Sequence, residues 1–112
     1  GGSPVAAAVA VRALEVIEEE KLIERSAELG AYFADRLRAI DSPHIVKVRA
    51  RGLWIGLVLD VKARPYCEAL MREGILCKET HVNIIRFAPP LVITKDEIDW
   101  AIERIENVLK TV

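Results

Sequence analysis

Arg86 has the setting that best suits chemistry. In Ile84-Ile85-Arg86-Phe87-Ala88-Pro89-Pro90 it is the one charge in an apolar, strand-like segment that runs into a double proline. Proline fixes its own φ, so the segment holds the guanidinium in a set direction, and a guanidinium is a planar fork of donors that matches a carboxylate. Anion binding is one reading of that combination. The spacing leaves another open, an edge-strand arginine on the solvent face or in a structural ion pair.

Other candidate groups carry less. His44 and His81 are single histidines beside strand-like segments and read as surface or capping residues rather than as ligands or bases. Lys21, Lys47, Lys62, Lys78, Lys95 and Lys110 each stand in a charged or solvent-facing context, unlike the desolvated amine that Schiff-base chemistry needs. Cys67 and Cys77 make neither a disulfide framework nor a zinc spacing, and read as reduced, packed thiols. P-loop, dinucleotide-binding glycine and nucleophile-elbow patterns are absent. No catalytic, cofactor-binding or metal-binding residue is assigned, which leaves Arg86 as the single candidate site residue.

The elements that must position Arg86 follow from periodicity. Ser3 and Pro4 suit an N-cap and a first helical residue, and Val5, Ala6, Val9, Ala10, Ala13, Leu14, Val16 and Ile17 form an apolar stripe. Its alanine-rich start suggests close packing. A second helical pattern runs from about Leu22 to Ile40, where Gly30 marks a close helix crossing, and Asp41-Ser42-Pro43 stops it. Segments Ile45 to Arg49 and Leu53 to Leu59 read as strands joined by a turn at Ala50-Arg51-Gly52, with Val46 and Val48 on the core face of the first. A short helix from Arg64 or Pro65 runs through Cys67, Leu70 and Met71 to a C-terminal glycine, Gly74. Short strands at Ile75 to Cys77 and Ile84 to Phe87 come next. Thr94-Lys95-Asp96-Glu97 is a capping box that opens a last amphipathic helix bearing Ile98, Ala101, Ile102, Ile105, Val108 and Leu109. The order predicts an α+β fold, a small mostly antiparallel sheet with helices packed on one face.

Bulk properties set the limits. A chain of 112 residues fits one domain, and its 52% hydrophobic share slightly exceeds the globular average of about 45–50%, which suits a domain that buries one face against something else. A net charge of -1, with both signs interspersed, argues against nucleic acid and anionic membrane as partners. The longest nearly unbroken apolar stretch, Pro4 to Val11, is far short of the roughly 20 residues of a membrane span, and no signal peptide opens the chain. A cytoplasmic protein is expected.

Several segments resemble one family. Gly74-Ile75-Leu76-Cys77-Lys78-Glu79-Thr80-His81 and Ile84-Ile85-Arg86-Phe87-Ala88-Pro89-Pro90-Leu91-Val92-Ile93 resemble the C-terminal signature of ornithine aminotransferases, members of the class III pyridoxal-phosphate-dependent aminotransferases. Arg51-Gly52-Leu53-Trp54-Ile55-Gly56, Ala63-Arg64-Pro65-Tyr66-Cys67 and Asp99-Trp100-Ala101-Ile102-Glu103 match the same family. Gly1-Gly2-Ser3-Pro4 resembles its Gly-Gly-Asn-Pro segment, with Ser3 in place of Asn. Acetylornithine aminotransferases are near relatives whose equivalent strand carries an Arg-Leu-Leu-Pro-Pro-type run, so Cys77-Lys78-Glu79-Thr80-His81 and Phe87-Ala88 favour the ornithine type.

The resemblance implies the C-terminal small domain of a fold-type I pyridoxal-phosphate enzyme over residues 1–112, with a first helix of about 4–20 linking to a large cofactor-binding domain. It implies pyridoxal 5'-phosphate in the full-length enzyme and none bound to this segment alone. The Schiff-base lysine, the aspartate facing the pyridine nitrogen and the stacking aromatic belong to the large domain. The implied reaction moves the δ-amino group of ornithine to 2-oxoglutarate, giving glutamate semialdehyde and glutamate, in a homodimer or higher homo-oligomer. Arg86 then matches the small-domain arginine that binds the carboxylate of 2-oxoglutarate and glutamate. Two alternatives remain: an acetylornithine or other ω-amino acid donor, and a free-standing, non-catalytic α+β binding module.

Overall fold

The computed structural model describes residues 4–112, with side chains from residue 19 onward. Helix α1 (Pro4–Arg38) is followed by strands β1 (Ile45–Arg51) and β2 (Trp54–Leu59), helix α2 (Arg64–Arg72), strands β3 (Lys78–Thr80) and β4 (Ile84–Phe87), and helix α3 (Lys95–Thr111). The sheet order is β1-β2-β4-β3 with every pairing antiparallel, so β4 is an inner strand. The architecture is α+β.

One sheet face holds the core. Ile55, Leu57, Leu59, Ile85 and Phe87 are buried there beneath Leu29, Phe33, Ala34 and Leu37 of α1 and beneath the apolar stripe of α3. Phe33 and Phe87 meet with ring centroids 5.7 Å apart, a spacing at which tilted aromatic pairs attract. The stripe of α3 is buried as its spacing predicts: Ile98, Ala101, Ile102, Ile105, Val108 and Leu109 all face inward. The capping box forms, with Thr94 Oγ1 accepting from the Glu97 N–H at 3.2 Å and the Thr94 N–H donating to Glu97 Oε1 at 3.2 Å. Between α1 and α3, the Tyr32 hydroxyl donates to the Asp99 carboxylate; that hydrogen bond holds the phenol above its usual pKa.

Several elements differ from the reading of periodicity. The helix expected over about 4–20 and the one expected over Leu22 to Ile40 are a single helix, because Lys21 and Leu22 are good helix formers and nothing between them breaks the backbone. Ser3 as N-cap lies outside the described residues, as does the side-chain stripe from Val5 to Ile17. Val46 is 59% exposed rather than in the core, since the pairing shifts between Ile45 and Lys47 and one extra residue reverses the alternation. Ile75 to Cys77 is not a strand, and Lys78–Thr80 forms the ladder with β4 instead.

Gly30 does mark a close approach, but to the β1–β2 turn and not to a helix. A Cβ there would lie 1.8 Å from the Gly52 carbonyl oxygen. Gly52 has φ +56°, the left-handed region that glycine enters at no steric cost. Ser26 Oγ accepts from the Leu53 N–H at 3.2 Å, so α1 grips the turn at two adjacent points.

Candidate functional site

Arg86 points away from the helices. Successive strand residues face opposite sides, and Ile85 and Phe87 are buried under the helices, so Ile84 and Arg86 lie on the open face. Arg86 pairs with Gly56 on one side and Lys78 on the other. Gly56 in turn pairs with Arg49, and Trp54 with Arg51. The same alternation therefore brings Lys47, Arg49, Arg51, Lys78 and Arg86 to one surface. The strands' one carboxylate, Glu79, falls on the opposite parity and lies 3.8 Å from Arg64 of α2.

Arg86 lies on the solvent face, but on an inner strand and, among the described residues, without an ion pair. Its strand is internal, and among the described residues no carboxylate lies within 4 Å of its guanidinium. The side chain is half-buried. Its guanidinium carbon sits 4.9 Å from the centroid of the Trp54 ring. Arg49, Arg51, Trp54, Thr80, His81 and Arg86 line a shallow groove of about 270 Å³ there. Such a groove, positively charged on an apolar aromatic wall, can accept a small anion through the guanidinium donors that face away from the ring.

The segment after β4 is tied down. Pro89 and Pro90 follow the strand, and Arg25 Nη2 of α1 donates to the Ile93 carbonyl at 3.1 Å. Backbone strain appears on the other side: His81 and Val82 in the β3–β4 turn have φ of 50° and 72°, and the Asn83 side chain donates to the Leu59 carbonyl at 3.0 Å. The turn thus keeps β3, β4 and the end of β2 in register around Arg86.

His44 Nδ1 lies 2.9 Å from Asp60 Oδ1, where β1 begins beside the end of β2. His81 is exposed at the groove rim. Cys67 and Cys77 are free thiols packed together, with Cys77 Sγ 4.0 Å from the Cys67 carbonyl oxygen. Their mutual hydrogen bond lowers the Cys67 thiol pKa and raises that of Cys77, which burial raises further. Every lysine of the chain is exposed, no polar or charged residue is buried among the described residues, and no His, Cys, Asp and Glu group among them could hold a metal.

What periodicity missed is Trp54. A tryptophan two residues from a glycine on one strand and a lone arginine on another become neighbours only through strand register, which no local pattern specifies.

The chain thus presents an antiparallel sheet with helices on one face and an arginine groove on the other. The aminotransferase class III family model matches residues 1–109, and the chain belongs to that family. It is 64% identical over 108 residues to an ornithine aminotransferase from a Geobacillus species, and 60% identical over 110 residues to the ornithine aminotransferase of Bacillus subtilis. These alignments cover 96% and 98% of the chain and 27% of each enzyme, so the chain spans about a quarter of the length of the curated relatives it matches. Among solved structures, an acetylornithine aminotransferase from Elizabethkingia anophelis superposes with a TM-score of 0.79 at 36% identity, covering 100% of this chain and 32% of that one. The ornithine aminotransferase of Toxoplasma gondii gives 0.76 at 40% identity, covering 98% and 28%.

Among the described residues, no helix is long and apolar enough to cross a membrane.

Proposed function

We propose that residues 1–112 are the C-terminal small domain of an ornithine aminotransferase, and that Arg86 binds the carboxylate of the oxo-acid substrate. The observation that carries this reading is the Arg86 guanidinium, directed to the helix-free sheet face without a carboxylate within 4 Å among the described residues. Family membership and 57–65% identity to ornithine aminotransferases supply the reaction class: the δ-amino group of ornithine passes to 2-oxoglutarate, yielding glutamate semialdehyde and glutamate.

Pyridoxal phosphate supplies the electron sink in this family. Its capture needs an amine that can lose its proton in a desolvated setting, and every lysine of this chain is exposed. The described residues do not fit the cofactor, and the steps assigned to this chain do not pass through it. They are binding and orientation. A bidentate guanidinium fixes both the position and the plane of a carboxylate, which turns a diffusing oxo-acid into a held reactant.

The partner in this reading is a large cofactor-binding domain, in a cytoplasmic homodimer or higher homo-oligomer. Exposed apolar groups support a docked neighbour: Leu22, Ile23 and Ala27 of α1, with Gly52 and Leu91, line an apolar groove where α1 passes the β1–β2 turn. Ile23 is 69% exposed and Val92 73%. Helix α1 is the element that reaches toward that domain.

A second donor, acetylornithine, is favoured by the 0.79 superposition on an acetylornithine aminotransferase. Identities of 60% and above to ornithine enzymes weigh against it. Turnover by the full-length protein separates the two. Ornithine with 2-oxoglutarate should give a specificity constant at least about tenfold above that for acetylornithine, a difference of about 1.4 kcal/mol in transition-state binding. A preference for acetylornithine would reject the assignment.

A further inference from the structure

We infer that Trp54 is a positioning residue for Arg86: its indole face sets where the guanidinium stands, and through it how tightly the oxo-acid carboxylate is held. This inference rests on the reading of Arg86 given above. Trp54 does not touch the carboxylate in this account; it acts through the arginine.

The geometry is diagonal. Arg86 pairs with Gly56 across the β2–β4 ladder, and Trp54 lies two residues earlier on the same face of β2. Diagonal neighbours stand roughly 7–8 Å apart at their backbones, a gap that only long or aromatic side chains bridge. Gly56 puts no side chain between them. The guanidinium carbon reaches 4.9 Å from the ring centroid, within the roughly 6 Å of a cation–π contact.

Nothing else among the described residues anchors that guanidinium. It has no carboxylate within 4 Å, and Arg49 and Arg51 line the same groove, so its charged neighbours repel it. Without the ring, the side chain would relax toward solvent and away from the cations beside it. A contact through the face of the guanidinium also leaves its edge donors free, whereas an ion pair would occupy them.

Trp54 is itself held. The preceding residue, Leu53, is buried, and its N–H donates to Ser26 Oγ at 3.2 Å. The turn before it is fixed against Gly30. The start of β2 is therefore clamped to α1, and the ring projects from a rigid base despite being 59% exposed.

The test is a double-mutant cycle in the full-length holoenzyme, with single-turnover rates for the ornithine and 2-oxoglutarate half-reactions measured separately. Trp54→Leu should raise the apparent dissociation constant for 2-oxoglutarate by about five- to thirtyfold, the range a cation–π contact spans as it is desolvated. Trp54→Phe keeps an aromatic face and should stay within about threefold of the parent. In an Arg86→Leu background, Trp54→Leu should add less than about twofold, because the ring has lost the group it acts on. If Arg86→Leu impairs 2-oxoglutarate binding but Trp54→Leu has no effect, multiplies with it, or slows both half-reactions equally, the positioning role is overturned and the Arg86 reading stands. If Arg86→Leu itself has no effect on 2-oxoglutarate, both are overturned.

Discussion

At Gly30 a hydrogen stands where any other residue would place a carbon 1.8 Å from the Gly52 carbonyl oxygen. That distance is far inside contact, and the obstacle is backbone, which cannot rotate aside as a flexible side chain would. Two effects compete when Gly30 is replaced by alanine. Helix propensity favours alanine by about 1 kcal/mol, while overpacking in a filled site costs about 1–3 kcal/mol or more. The clash should win here, because the turn it displaces also carries the Ser26–Leu53 hydrogen bond. Gly30→Ala should therefore destabilise by about 2 kcal/mol net. Thermal unfolding of the full-length protein checks it, and a raised midpoint would mean that the turn is not packed against α1 as described.

Among the elements, α3 is the most self-contained. Its capping box satisfies two otherwise unpaired groups at the N-terminus, and Asp96 and Glu97 add negative charge where the helix dipole is positive. Thr94→Ala should cost about 1 kcal/mol, and Thr94→Ser much less, since serine keeps the accepting oxygen. Equal losses from both substitutions, read from unfolding midpoints, would place the effect in packing of the threonine methyl instead. This helix was fully legible from sequence because cap and stripe are local: spacing between Thr94 and Glu97, and between Ile98 and Leu109, needs no knowledge of the partner. Strand β4 and the C-terminal glycine of α2 were legible for the same reason. The Val46 bulge was not, since it depends on how many residues β2 places opposite. The expected division of α1 at Lys21 has another cause: two apolar stripes read as two helices although no residue between them stops a helix. For the site, Arg86 could be found as an isolated charge in an apolar strand. Trp54 beneath it could not, because strand register is a long-range property.

Across the whole molecule, a net charge of -1 conceals a one-sided distribution. The helix-free sheet face carries Lys47, Arg49, Arg51, Lys78 and Arg86, while most carboxylates sit on helices and loops. Composition averages these faces, so charges interspersed along the chain carry no sign of a positive field. A face of that kind attracts small dianions over roughly 8–10 Å at ordinary ionic strength, and under the proposed function it would gather the oxo-acid that Arg86 binds. The sheet is thus apolar where helices cover it and cationic on its helix-free face. The direct test is the rate of the 2-oxoglutarate half-reaction in full-length Arg86→Leu, compared with that of the ornithine half-reaction in the same protein. Loss of a charge-assisted bidentate contact is worth about 2–4 kcal/mol, so the account predicts a fall of roughly 30- to 1,000-fold for 2-oxoglutarate and a much smaller change for ornithine. An equal fall in both half-reactions, or no fall for 2-oxoglutarate, would contradict it.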